Sequence, residues 1–389
     1  MVTGKEKIED RIELICEAIA AWLDNEDDIL SRTADRTATE GLFPRHDVMF
    51  MLDSIAETVT PDALRGWVSR VAAQGTSELR ETAGSGAIDP ESHPRNNHIL
   101  CLHAGNLPLV GFQDIIATLL SGSVYHGKLS RKDPWLADGL LRILRKRLPE
   151  LLGGWAVRLE DLDKAGADRV LFAGADASVP EVQRRIHELG LASNRALFLP
   201  RTARYSMAWI SEADFLDDET RLSKQLIDAM LRYEGRGCRS LVLVVAERSL
   251  GEFAGSLGDA AEVFTRQNRP SHWRKPGVSY WRSYLKSTGK EVYDLGGQII
   301  TDDPELIGRD DVICWLKGSR EDVVRLARQA GPQLQQVYLY TGRDPLGLES
   351  GELLQNSEEI RMEPLSKAQR PPIDWQPDGI DVLGWLWAT

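Results

Sequence analysis

The sequence predicts an α/β protein with a mostly parallel sheet in more than one lobe, and three observations lead there. At 389 residues and 42% hydrophobic content the chain is too long for one core. Short apolar runs of strand length alternate with longer segments whose apolar residues recur at helical spacing, the pattern of repeated β-then-α units. Gly and Pro punctuate the joints. Residues 5–35 and 47–75 have helical spacing, as at Ile8, Ile12, Ile15, Ile19 and Leu23. A polar stretch, 75–97, separates them from an apolar run, 98–103, that reads as a buried strand. Helix 113–120, strand 123–128, helix 135–148, strand 169–172, helix 180–189 and strand 195–198 follow. Helix 219–233 then runs into Gly235, Gly237 and Cys238, and strand 240–246 begins at once. A second set continues with helix 249–266, strands near 292–300 and 312–316, helix 320–329 and strand 336–340. The lobes are expected to part near Cys238.

Composition narrows the function classes. A formal charge of −12 argues against a general affinity for nucleic acid or anionic membrane. No apolar run approaches the roughly 20 residues that span a bilayer, and the charged start resembles no secretory signal, so a cytoplasmic protein is expected. The four cysteines are scattered without CxxC spacing, which suggests reduced thiols, and no cluster has metal-site spacing.

Of the four, Cys238 stands out. It lies between a helix end and a strand start in Glu234-Gly235-Arg236-Gly237-Cys238-Arg239. The glycines permit positive φ and close approach of a ligand, and Arg236 and Arg239 would favour the thiolate, the form that attacks thioesters. The alternative is a small buried hydrophobe. Cys16, Cys101 and Cys314 lie in apolar patterns and read as core.

Read together, Leu102-His103-Ala104-Gly105-Asn106-Leu107-Pro108-Leu109-Val110, Lys128-Leu129-Ser130 and Gly235-Arg236-Gly237-Cys238-Arg239 resemble the acyl-CoA reductases of the bacterial luminescence (LuxC) type, within the aldehyde dehydrogenase superfamily. Pro364-Leu365-Ser366-Lys367-Ala368-Gln369 and Asp378-Gly379-Ile380-Asp381 are similar to the reductases' tail motifs. The resemblance spans residue 98 to the C-terminus. It implies an aldehyde dehydrogenase-like fold with a Rossmann-like cofactor domain (1–235, with 365–389 packing back on it) and a smaller α/β catalytic domain (236–364).

The same resemblance implies Cys238 as acyl acceptor and Asn106 as amide donor to the oxyanion, where a fixed donor is worth roughly 3 kcal/mol. Lys128 would hold the cofactor's adenosine ribose, and Ser130 would belong to the cofactor site. Arg131, followed by Lys132, stands where NAD-using relatives place a glutamate, which implies NADPH, with NADH as the alternative. Gly174 and Ala175, in Phe172-Ala173-Gly174-Ala175, match a turn against the nicotinamide. A homo-oligomer, an acyl-CoA or acyl-protein thioester substrate and an acyl-supplying enzyme are implied too. The segment 201–208, comparable to the strand carrying the oxidative enzymes' water-activating glutamate, has no carboxylate. Leu365 and Ser366 depart from the reductases' Phe-Gly. The competing functions are a cysteine acyltransferase or thioesterase without a redox step, and a non-catalytic binding protein. His103, three residues before Asn106, reads as structural, and the tryptophans, including Trp273, Trp281, Trp375, Trp385 and Trp387, as packing.

Overall fold

The computed structural model describes residues 4–82, 97–268, 276–342, 360 and 362–388, and Trp273 lies outside them. The chain forms two compact units, Met1–Thr202 with Pro371–Thr389, and Ala203–Arg370. They part at Thr202/Ala203, not at the expected 235/236. The reason is Tyr205–Ile210, a strand the sequence reading missed, which pairs with the strand after Cys238 and takes the intervening helices with it.

Four helices open the first unit: α1 (Gly4–Leu23), α2 (Ile29–Thr39), α3 (Arg45–Thr58) and α4 (Pro61–Thr82). The helical pattern over 5–35 is broken between α1 and α2 because Asn25, Asp27 and Asp28 adopt left-handed φ. The pattern over 47–75 is two helices, the second beginning at Pro61 and running past the expected break at 75 to Thr82; residues 83–96 lie outside the described set. Then come β1 (His98–Leu102), α5 (Phe112–Ser121), β2 (Val124–Lys128), α6 (Trp135–Arg147), β3 (Leu152–Ala156), β4 (Ala167–Ala173), α7 (Val179–Glu188) and β5 (Ala192–Arg201). Strand β3, built on Leu152-Gly153-Gly154-Trp155-Ala156, was missed because its glycines hide the period-2 signal.

The five strands are all parallel, in the order β3-β2-β1-β4-β5. Both faces are covered, which explains the unbroken apolar run of β1. Ile99 and Cys101 face a core shared with α1, α4, α5, α6 and the C-terminal helix Val382–Trp387, while Leu100 and Leu102 face another under α7. The returning C-terminal segment is stitched to this unit. Gln113 Nε2 donates to the carbonyls of Ile373 (2.7 Å) and Trp375 (2.6 Å), Trp67 Nε1 to Asp381 Oδ1 (2.9 Å), and the Thr202 amide to Asp378 Oδ2 (2.6 Å).

The second unit contains β6 (Tyr205–Ile210), α8 (Glu212–Asp217), α9 (Glu219–Leu231), β7 (Leu241–Ala246), α10 (Leu250–Gln267), α11 (Pro276–Ser287), β8 (Val292–Asp294), β9 (Ile299–Thr301), β10 (Val312–Lys317), α12 (Arg320–Ala330), β11 (Leu334–Leu339) and β12 (Met362–Pro364). Its sheet runs β12-β11-β6-β7-β10-β9-β8, parallel except for the edge strand β8. The single strand expected near 292–300 is two, folded back through Gly296 at φ 88°. Ser249–Glu252 and Ser319–Asp322 form capping boxes at the starts of α10 and α12. Central β7 puts Val244 and Ala246 on one core and Leu243 and Val245 on the other. Trp281 packs at the edge of the latter, and Trp385 and Trp387 pack in the first unit.

One buried ion pair fastens α5 to the end of β5: Arg201 donates from both Nη atoms to the Asp114 carboxylate, at 2.7 and 2.5 Å. Removing one partner strands a buried charge, so Asp114→Ala should cost about 3–5 kcal/mol. Replacing both (Asp114→Ala with Arg201→Met) should cost less than the sum of the two single changes. Urea denaturation of the four proteins reads both quantities.

Candidate active site

The sequence-predicted residues of the first unit gather at one edge of its sheet. The chain leaves β1 toward β2 and β3 on one side and resumes at β4 on the other, so the sheet has a topological switch point between β1 and β4. Open α/β sheets bind ligands outside the carboxyl ends of strands at such a point. Asn106 follows β1, Lys128 ends β2 with Ser130 and Arg131 after it, and Gly174 and Ala175 follow β4, all at carboxyl ends of neighbouring strands.

The Asn106 loop is fixed by groups that the sequence reading did not single out. Leu109 has φ 52° and Gly111 φ 96°, so the backbone doubles back in a conformation that a non-glycine adopts only under constraint. The constraint is the buried carboxylate of Asp133, whose Oδ2 accepts the Leu109 amide at 2.8 Å. Its Oδ1 accepts Thr37 Oγ1 at 2.7 Å and the Leu136 amide at 3.3 Å. Burial pushes the Asp133 pKa up, and the bonds from Thr37 and the backbone amides oppose that. Asp133-Pro134 before an apolar-periodic helix is an N-cap signal that could have been read. Thr37 brings in α2, from the first ninety residues, which carried no functional signal. Half-buried Asn106 follows Gly105, where a Cβ would sit 2.0 Å from Ser130 Oγ, so the loops after β1 and β2 are in contact.

Burial, and secondarily the nearby Arg131 charge, lower the Lys128 pKa. Ser130 Oγ accepts the Lys132 amide at 3.0 Å. Arg131 and Lys132 are exposed. Three cations within five residues at the switch point suit a phosphate-bearing ligand. Gly174 follows β4 without a positive φ, and a Cβ there would meet the Phe172 ring at 2.5 Å. Ala175 beside it is exposed.

His103 belongs to the framework. It is 4% exposed, its Nε2 is 2.7 Å from Tyr125 Oη, and a Cβ at Gly111 would sit 1.6 Å from its Nδ1. Burial lowers its pKa to about 4, with the Asp114 carboxylate, 4.0 Å away, pulling the other way.

In the second unit, Cys238 forms no disulfide and is half-buried. It lies in the loop between α9 and β7, at the amino end of the central strand, the opposite kind of edge from the first unit's residues. Tyr233, Glu234 and Gly235 are all left-handed (φ 54°, 56° and 69°). Glycine is required at 235 on two grounds, its φ and a Cβ position 2.0 Å from Gln298 Nε2. Ser206 Oγ on β6 donates to the Cys238 carbonyl at 3.0 Å. The two arginines expected to act on the thiol are both engaged with carboxylates. Arg236 pairs with Glu234 at 2.8 Å, and buried Arg239 with Glu363 at 2.6 Å. Arg239 Nε also donates to the Ala368 carbonyl at 2.8 Å, and Gln369 Nε2 to the Ala229 carbonyl at 2.9 Å. The cysteine loop and the Pro364–Gln369 motif, read separately from the sequence, are therefore packed together.

The other cysteines are poor nucleophiles. Burial raises Cys101 well above the ordinary thiol range and pushes Cys314 up to about 12. Cys16 is half-buried against the helical core, and burial raises it also. Among the described residues no group of three or more His, Cys, Asp or Glu could hold a metal ion, and no helix is long and apolar enough to cross a membrane.

No family model and no curated protein matches the sequence. Solved structures do match. Aldehyde dehydrogenase 21 from Physcomitrella patens, in complex with succinate, superposes with a TM-score of 0.64 over 96% of this chain and 81% of its own, at 13% identity. The fold is that of the aldehyde dehydrogenases. A Mycobacterium tuberculosis aldehyde dehydrogenase complexed with NAD+ matches at 0.60, 15% identity and 92% and 77% coverage. An NAD-dependent benzaldehyde dehydrogenase from Corynebacterium glutamicum matches at 0.58, 13% identity and 94% and 82% coverage. At these identities the likeness to aldehyde dehydrogenases is one of fold.

His103 yields a pH prediction. Its folded pKa of about 4 lies below the ordinary 6.5. The folded state thus binds fewer protons than the unfolded one between these values, and stability present above pH 6.5 is lost as pH falls toward 4. The loss attributable to His103 should be about 3 kcal/mol. A His103→Gln variant should lack that part of the slope in urea midpoints measured from pH 7 to 4.

Proposed function

We propose that the protein reduces an acyl thioester, such as an acyl-CoA or an acyl-carrier thioester, to an aldehyde, with Cys238 as the acyl-carrying nucleophile. The observation that carries this reading is Cys238 itself, a half-buried thiol on a strained loop packed against the Pro364–Gln369 motif in an aldehyde dehydrogenase fold. On this reading the first unit is the dinucleotide-binding domain and the second the cysteine domain.

The Cys238 thiolate adds to the thioester carbonyl, the carbon–sulfur bond to the donor breaks, and the donor leaves as a thiolate that takes a proton from water, so the acyl group is now a thioester of Cys238. Negative charge grows on the carbonyl oxygen in that addition, and the Asn106 side-chain amide is the proposed donor to it. Lys128, Ser130 and Arg131 would hold the adenosine ribose and a 2′-phosphate, and Gly174 and Ala175 would lie by the nicotinamide. When bound, reduced nicotinamide supplies the hydride that converts the Cys238 thioester to aldehyde and returns the thiolate. The segment 201–208 supports reduction over hydrolysis. It carries no carboxylate, Arg201 within it is bound to Asp114, and Ser206 donates to the Cys238 carbonyl, so no base there can activate water.

Oxidation of NADPH in the presence of a panel of acyl-CoAs, with aldehyde identified as product, tests the assignment. Wild type should turn over and favour NADPH over NADH, Cys238→Ala should fold and lose aldehyde formation, and Asn106→Ala should be slower by about a hundredfold. Undiminished turnover by Cys238→Ala overturns the mechanism, and a clear NADH preference overturns the role of Arg131.

A further inference from the structure

Arg239 directly follows the proposed nucleophile, and at 6% exposure its charge depends on buried partners. Its Nε donates to the Ala368 carbonyl at 2.8 Å, and one Nη donates both to Glu363 Oε2 at 2.6 Å and to the Lys367 carbonyl at 3.0 Å. The guanidinium carbon stands 5.5 Å from the centre of the Tyr338 ring on β11. Glu363, on β12, and Lys367 and Ala368, just after it, come from one segment. The contacts run the other way as well, since Gln369 Nε2 reaches the Ala229 carbonyl at 2.9 Å and Ser240 Oγ at 3.5 Å.

This arrangement needs a planar fork. A lysine ammonium is a point charge on a flexible stem and cannot meet two carbonyls and a carboxylate in one plane over an aromatic ring. Neutralised by Glu363, the guanidinium does not act on the thiol as a bare cation. Burial acts to lower the Arg239 pKa, and Tyr338, Glu363 and, least of these, the adjacent Cys238 carry it above its ordinary value.

We propose that Arg239 is a positioning residue of the thioester reaction: its buried fork holds the Cys238 backbone and the Glu363–Gln369 segment as one body, and the Arg239–Glu363 pair sets how readily the thiol ionises. The inference rests on the assignment of Cys238 as nucleophile and adds to it. Losing the fork raises the ionisation midpoint of the thiol and loosens the segment. Losing the Glu363 charge while keeping its oxygen has the opposite effect on the midpoint, because Arg239 is then no longer neutralised. A residue that only stabilises the fold would produce neither shift, still less shifts of opposite sign.

The test is the rate of iodoacetamide alkylation at Cys238 as a function of pH, located by peptide mass mapping, with hydrogen exchange of peptides covering 362–370. Arg239→Met should raise the alkylation midpoint by about one pH unit and speed exchange of the segment. Arg239→Lys should raise it by less, and Glu363→Gln should lower it. Midpoints and exchange equal to wild type in these variants overturn the proposal. If Arg239→Met does not fold, Arg239→Lys and Glu363→Gln decide by the same criteria. Alkylation needs no substrate, so a wild type that reacts with iodoacetamide at Cys238 yet takes no acyl group from acyl-CoA sinks the proposed function and leaves this test intact.

Discussion

The left-handed turn at Tyr233, Glu234 and Gly235 constrains the second unit most tightly. Two of its residues carry a Cβ, and holding them there costs about 2–4 kcal/mol. The surroundings offset that cost. Tyr233 is buried, Gln298 donates toward the Glu234 carbonyl at 3.4 Å, Glu234 pairs with Arg236, and Gly235 leaves room for the Gln298 amide. Strain sustained by so many neighbours clusters where a side chain must be aimed. The loop it shapes carries Cys238, with its carbonyl bonded to Ser206 and its successor Arg239 bonded to the Glu363–Ala368 segment.

The two sheets use their edges differently. In the first unit Asn106, Lys128, Ser130, Arg131, Gly174 and Ala175 obey the carboxyl-end rule of open parallel sheets, and a buried carboxylate, Asp133, gives the Asn106 loop its shape. Cys238 breaks that rule by preceding its strand. The loop at the amino end of β7 follows the crossover helix α9 and is held by side chains: Ser206, Arg239, Gln298 and Gln369. The first unit's loops lean instead on α2 and α6 through Thr37 and Leu136.

Much of this was legible in the sequence. The alternation of β and α, the apolar run of β1, the helices α6, α7, α10 and α12 and the isolation of Cys238 from core cysteines all follow from periodicity and local composition. What was illegible depends on distant partners. Strand β3 is masked by Gly153 and Gly154, and β6 was missed, so the parting of the units moved to Thr202. The pairing of Arg239 with Glu363 and of Arg201 with Asp114 joins residues far apart in the chain, so Arg236 and Arg239 read locally as cations beside a thiol when each is in fact tied to a carboxylate. Asp133 was readable from its position before Pro134, whereas its hold on Leu109 was not.

Everything functional reduces to whether one sulfur accepts an acyl group and keeps it from water. Intact mass of the protein mixed with a long-chain acyl-CoA and no nicotinamide, followed by peptide mapping, asks that directly. One acyl adduct per chain, confined to the peptide containing Cys238, persisting until reduced nicotinamide is added and then discharged as aldehyde, is the predicted result. An unmodified mass, an adduct on another residue, or an adduct released as free acid in the absence of nicotinamide would contradict it.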